Sequence, residues 1–155
     1  MECPPRAKKI KIQSITGIPL QMLEVKVFSG AHGDVAAGKS AEQSSTYKEK
    51  PQFRASKALD GNMRSFSHTG RSDTCEWWEV DLEGSYDISK VEIYNRYCPN
   101  DDESDPKKCL CRMSFATVSL IGATGKWVDA VVMGNTCGVL KWEHSFVPSV
   151  EFCGE

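Results

Sequence analysis

Apolar side chains in this chain recur at every second residue, in short runs that turn residues cut off. Residues 8–13 alternate around Ile10 and Ile12, and residues 21–28 resume the pattern after Thr16, Gly17, Ile18 and Pro19. The same alternation marks 77–82, 88–94 with Val91 and Ile93 inward, 116–121, 127–133 and 139–146. A period of two places one face of a strand against a core and the other in water. Only residues 52–59 leave room for a helical turn or two, and Asp60, Gly61 and Asn62 end it with turn chemistry. Residues 29–45 read as a loop with short extended pieces, and 99–108 as a polar surface loop. Seven or eight short strands with almost no helix predict an all-β chain folded as an antiparallel jelly-roll β-sandwich.

Length and charge narrow the function classes. At 155 residues the chain is expected to be one domain, 1–155, able to hold its own core. A hydrophobic share of 40% against 26% charged residues is globular composition. The net charge of −2 supplies no basic field for a phosphate backbone or an anionic bilayer, so neither nucleic acid nor membrane is an expected partner. No run of 18 apolar residues spans a bilayer, and the first residues lack the apolar core of a signal peptide. The chain is thus expected to be cytosolic, or a domain of a longer secreted one. Its seven cysteines favour the second, with a disulfide framework and one thiol left over.

Three stretches, taken in order, resemble one family: Val35 to Tyr47, then Ala58-Leu59-Asp60-Gly61-Asn62, then Trp77-Trp78-Glu79-Val80-Asp81-Leu82. They are similar to the F-type lectins (fucolectins) and, more loosely, to the discoidin and coagulation-factor type C modules. All of these share the galactose-binding-like jelly roll. The likeness runs directly over 35–147, the main body. A segment that closes the domain in fucolectins is matched here by Leu20 to Val27, at the front. The resemblance therefore implies a circular permutation, with residues 8–28 as displaced closing strands. Termini of compact domains often lie close together, which makes such a shift physically possible.

The resemblance implies two sites. One is an oxygen cluster for Ca²⁺, with the Leu23 and Lys57 carbonyls, the carboxylates of Glu24 and Asp60, the Asn62 amide and the Ser65 hydroxyl as ligands. Read without the family, Asp60 and Asn62 would merely shape a turn. The other is a sugar site at His68, Arg96 and Arg112, where rigid guanidinium forks donate to hydroxyls and a neutral imidazole keeps one acceptor nitrogen. Singly, each of these three is an ordinary surface or capping residue. Tyr97 is the expected stacking face. Cys98 stands where the family motif has Asp, and 15 residues rather than about seven separate the arginines; Asp101, Asp102 or Asp105 is the expected substitute acid.

Cys98, Cys109, Cys111 and Cys137 suit two bridges or a four-thiolate Zn²⁺ site, and the tight Cys109-x-Cys111 spacing favours bridges that clamp the 98–111 loop. Cys3 and Cys153 are expected to pair, leaving Cys75 as the thiol. Of Trp77 and Trp78, one belongs to the core and the other is expected beneath the His68 loop; Trp127 and Trp142 read as core or edge packing. No nucleophile motif appears, and Glu76, Glu79 and Asp81 only loosely suggest a glycosidase pair, so no catalysis is expected. The expected function is a carbohydrate-binding, lectin-like module for fucose- or galactose-like glycans with a structural Ca²⁺, working outside the cell or in the secretory pathway. The alternative is a protein- or glycoprotein-interaction module of a larger extracellular protein that binds no free sugar. A third reading is a purely structural domain of such a protein.

Overall fold

The computed structural model describes residues 4–15, 17–30, 32–72, 74–98 and 109–146. Ten strands form two five-stranded antiparallel sheets. They are β1 (Arg6–Gln13), β2 (Gln21–Ser29), β3 (Gly33–Asp34), β4 (Ser40–Gln43), β5 (Ser67–His68), β6 (Trp77–Asp87), β7 (Lys90–Asn95), β8 (Thr117–Ile121), β9 (Trp127–Val132) and β10 (Lys141–Ser145). The first sheet runs β4-β6-β1-β8-β9. The second runs β10-β7-β2-β3, with β5 pairing the start of β2. Short 3₁₀ helices at Tyr47–Glu49, Pro51–Phe53, Ala55–Leu59 and Cys109–Met113 carry the chain between strands.

Register explains why the alternating residues converge. Ile12 of β1 lies between Trp78 and Val118, and Ile10 between Val80 and Leu120. In the opposing sheet Val25 pairs with Ile93 and Val27 with Val91. All ten side chains are fully buried, so the two inner faces meet in one apolar layer. The fold is all-β and antiparallel, as the alternation predicts. Of the two tryptophans, Trp78 is the core one, with its indole N–H donating to the Ala55 carbonyl at 2.9 Å. Trp77 is half-buried on the other face, under the Lys11 ammonium at 5.1 Å. Trp142 packs against the core, whereas Trp127 stays largely exposed on the edge strand β9.

β6 runs past the predicted end to Asp87. Glu83 takes a positive φ of 64°, and the ladder with β1 shifts register there, so the pairing continues through an irregularity that reads as a turn in the sequence. β1 and β2, the first strands of the chain, are interior members of their sheets. Cys98 is bridged to Cys109 and Cys111 to Cys137, and Cys75 belongs to neither bridge. Those four cysteines are therefore paired with one another, which removes the thiolates that a zinc site needs. Cys3, Cys153 and residues 99–108, with Asp101, Asp102 and Asp105, lie outside the described residues.

Candidate functional site

At the end of the sandwich where β2 begins, a cavity of about 470 Å³ is lined by Pro19, Tyr47, Phe53, Phe66, His68, Gly70, Arg71, Arg96 and Arg112. His68, Arg96 and Arg112, far apart in sequence, thus share one pocket. The fold assembles it from separate pieces. β5 pairs Gln21 with His68, which pins the imidazole to the start of β2. Arg96 follows the last residue of β7, and Arg112 sits in the 3₁₀ helix at Cys109–Met113 that the two disulfides fasten.

His68 is buried and both ring nitrogens are engaged. Nδ1 lies 2.6 Å from the Thr69 carbonyl, which can only accept, so Nδ1 carries the proton. Nε2 is then the acceptor, and the Gln21 amide donates to it at 2.6 Å. The pKa falls to about 4, through burial first, with Arg96 and Arg112 lowering it further against the opposing Thr69 bond. The ring is neutral as the sequence predicts, but its acceptor nitrogen is already taken by Gln21. It therefore presents a ring rather than a spare lone pair. The Gln21 Oε1 atom is buried and has no hydrogen-bond partner among the described residues.

An aromatic wall surrounds this imidazole. Tyr47 stacks on it with centroids 4.3 Å apart and planes 14° from parallel. Phe53 meets it edge-on at 5.5 Å, and Phe66 supports the Arg96 guanidinium at 4.2 Å. Lys48 and Glu49, just after Tyr47, hold left-handed φ values of 50° and 54°, a conformation that costs non-glycine residues energy. The sequence reading missed these three rings and named Tyr97 instead. Tyr97 is half exposed and is not among the residues that line the pocket. The signal that was available is the clustering of Tyr47, Phe53 and Phe66 on either side of the Asp60 turn.

The oxygen cluster lies where β2 meets the Ala55–Leu59 helix and the turn after it. Glu24 is buried, and its Oε2 accepts the Gly61 N–H at 3.0 Å. Gly61 has φ 71°, the left-handed geometry that glycine adopts without strain. Asp60 accepts from the Asn62 N–H at 2.9 Å and the Ser65 hydroxyl at 2.6 Å, while Asn62 accepts from the Arg64 N–H at 2.9 Å. So Asp60 and Asn62 do shape the turn. Leu23 sits at a bulge between the paired residues Met22 and Glu24, out of the β7 ladder. Lys57 lies in the adjoining helix.

The donor set of Leu23, Glu24, Lys57, Asp60, Asn62 and Ser65 is all oxygen, which suits a hard cation. Burial, with Asp60 and Asp34 nearby and only partly offset by the Gly61 N–H, pushes Glu24 up to about 7. No lysine or arginine among the described residues forms an ion pair with it. A buried carboxylate beside other acids is a group that a cation would complement, so these residues fit Ca²⁺. Among the described residues no three His, Cys, Asp or Glu side chains are placed to hold a metal by themselves, so amide, hydroxyl and backbone oxygens would complete the shell.

Glu76, Glu79 and Asp81, the acids that loosely suggest a glycosidase pair, have structural partners. Glu76 accepts from the Ser44 and Ser45 hydroxyls, Glu79 faces Lys9 at 3.4 Å, and Asp81 faces Lys8 at 3.9 Å and caps the Glu83 N–H. No curated protein and no solved structure matches the chain. A family model described as NedA-like, galactose-binding domain matches residues 57–138, a stretch holding Asp60, Asn62, His68, Arg96 and Arg112. That match covers more than half of the sequence and agrees with the two-sheet antiparallel sandwich, and the chain belongs to the NedA-like, galactose-binding domain family.

Proposed function

We propose that this chain is a carbohydrate-binding module that seats a fucose- or galactose-like residue in the pocket of His68, Arg96 and Arg112. The observation that carries the reading is the pocket itself: rigid donors and three aromatic rings gathered at one end of a rigid sandwich. The arginines would donate to sugar hydroxyls and the ring oxygen. Tyr47, Phe53 and Phe66 would pack on the apolar face of the sugar. His68 would hold the floor in place through Gln21 and Thr69 rather than bind with a free nitrogen.

The reading includes Ca²⁺ held by Glu24, Asp60, Asn62, Ser65 and the Leu23 and Lys57 carbonyls. When bound, Ca²⁺ would neutralise the two carboxylates and stiffen the loop that leads to His68. The same reading makes the chain a permuted relative of the F-type lectins, with residues 8–28 as moved closing strands of a single domain, and places it outside the cell or in the secretory pathway. Support comes from the position of β1 and β2 inside the sheets, from the Glu24–Gly61 bond that joins β2 to the turn, and from two disulfides, which persist in oxidising compartments.

The test is a panel of immobilised glycans probed with and without chelator. The reading expects retention on fucosylated or galactosylated glycans that weakens in chelator. Retention on no glycan, with capture by a deglycosylated protein surface, would replace it with the protein-interaction reading.

A further inference from the structure

The pocket lining holds three guanidiniums, Arg71, Arg96 and Arg112, and no carboxylate among the described residues. The segment that walls it, residues 47–72, carries six basic side chains and two acidic ones, Glu49 and Asp60, in a chain whose net charge is −2. Arg71 stands apart from the other two arginines. It is exposed at the rim and forms no ion pair with any described residue. The backbone that launches it is fixed. The Gly70 N–H donates to Ser45 Oγ at 2.9 Å, Ser45 donates to the buried Glu76, and the Thr69 N–H donates to the Leu20 carbonyl at 3.0 Å.

A neutral sugar offers such a rim only hydroxyls. A carboxylate or sulfate on the sugar offers a planar or tripodal oxyanion, to which a guanidinium makes charge-assisted, often bidentate bonds. Arg96 and Arg112 lie close enough to His68 for both to favour its uncharged form.

We propose that the pocket selects an acidic saccharide, one bearing a carboxylate or sulfate substituent, and that Arg71 reads that substituent. This rests on the saccharide reading above. The test titrates the full chain in excess Ca²⁺ with a neutral methyl galactoside, a 6-sulfated galactoside, a sialylated galactoside and inorganic sulfate. At least one acidic sugar is expected to bind about tenfold more tightly than the neutral one. That preference is expected to shrink in about 0.5 M salt, where the Debye length is only a few ångströms.

Arg71→Gln is expected to bring the acidic-to-neutral ratio near one, and Arg71→Lys to retain part of it as a point charge without the fork. Equal or reversed preference in the unaltered protein overturns the inference while leaving the saccharide reading intact. So does a ratio that ignores Arg71→Gln. Inorganic sulfate binding as tightly as the sulfated sugar overturns the saccharide class. Binding of no sugar at all overturns the proposed function and this inference with it.

Discussion

His68 ties the stability of the fold to the pocket that it lines. Its folded pKa of about 4 lies below the ordinary value of 6.5, so the unfolded chain binds the extra proton between those limits. Stability from this residue is complete above pH 6.5, declines as pH falls toward 4, and then levels off. The full loss is roughly 3 kcal/mol. The measurement is urea unfolding from pH 8 to 4, taken as the difference between the unaltered protein and His68→Gln so that other titrating groups cancel. The difference is expected to narrow across that window; a constant gap would contradict the assigned protonation state. The sequence pattern points to a neutral imidazole through the two arginines, whereas burial, which the pattern does not show, is the larger cause. The lost acceptor of the ring was not legible, because the Gln21 amide that takes it lies 47 residues away and arrives through the β2–β5 register.

At the scale of the element, the alternation of Ile10, Ile12, Val80 and Leu82 was enough to place most strands, since period two leaves one stable way to bury such a face. Pairing order was not legible, because β1 contacts strands from the middle and end of the chain. The aromatic wall was hidden for a related reason: Tyr47 and Phe53 sit in 3₁₀ turns, which carry no hydrophobic period to read. The central place of β1 and β2 predicts that deleting residues 1–28 abolishes cooperative folding. The deletion strips the β6, β7 and β8 edges and removes Ile10, Ile12, Met22, Val25 and Val27 from the core. A truncated chain that still melts in one sharp transition would contradict the sheet order. Within β6, Trp78→Ala is expected to cost about 3–5 kcal/mol by chemical denaturation, from the cavity and the unpaired Ala55 carbonyl.

For the whole molecule, the oxygen-rich turn and the pocket are neighbours on one chain segment, from Asp60 to His68, so order in one bears on the other. A cation that binds only the folded state raises the melting temperature by mass action, about 5–10 °C at a hundredfold excess over Kd for a domain of this size. Adding Ca²⁺ to chelated protein is expected to give that rise, and Asp60→Ala to abolish it; identical melts in chelator and excess Ca²⁺ would remove the metal from the account. The cysteine pattern pointed to a clamped loop, and the Cys98–Cys109 bridge closes it beside Arg112. The rim arginine Arg71 lay outside every motif and became visible only when the fold set it against Arg96 and Arg112. Monosaccharide affinity is expected to be weak, roughly millimolar to high micromolar, because a small ligand in an open site buries little area. The direct measurement is an NMR titration of fucosylated and galactosylated oligosaccharides into the unaltered protein and into Arg112→Ala. Saturable shifts around His68 and Phe66 that Arg112→Ala removes while the fold persists are the expected result; shifts that are absent, or that survive in Arg112→Ala, would contradict the proposed sugar site.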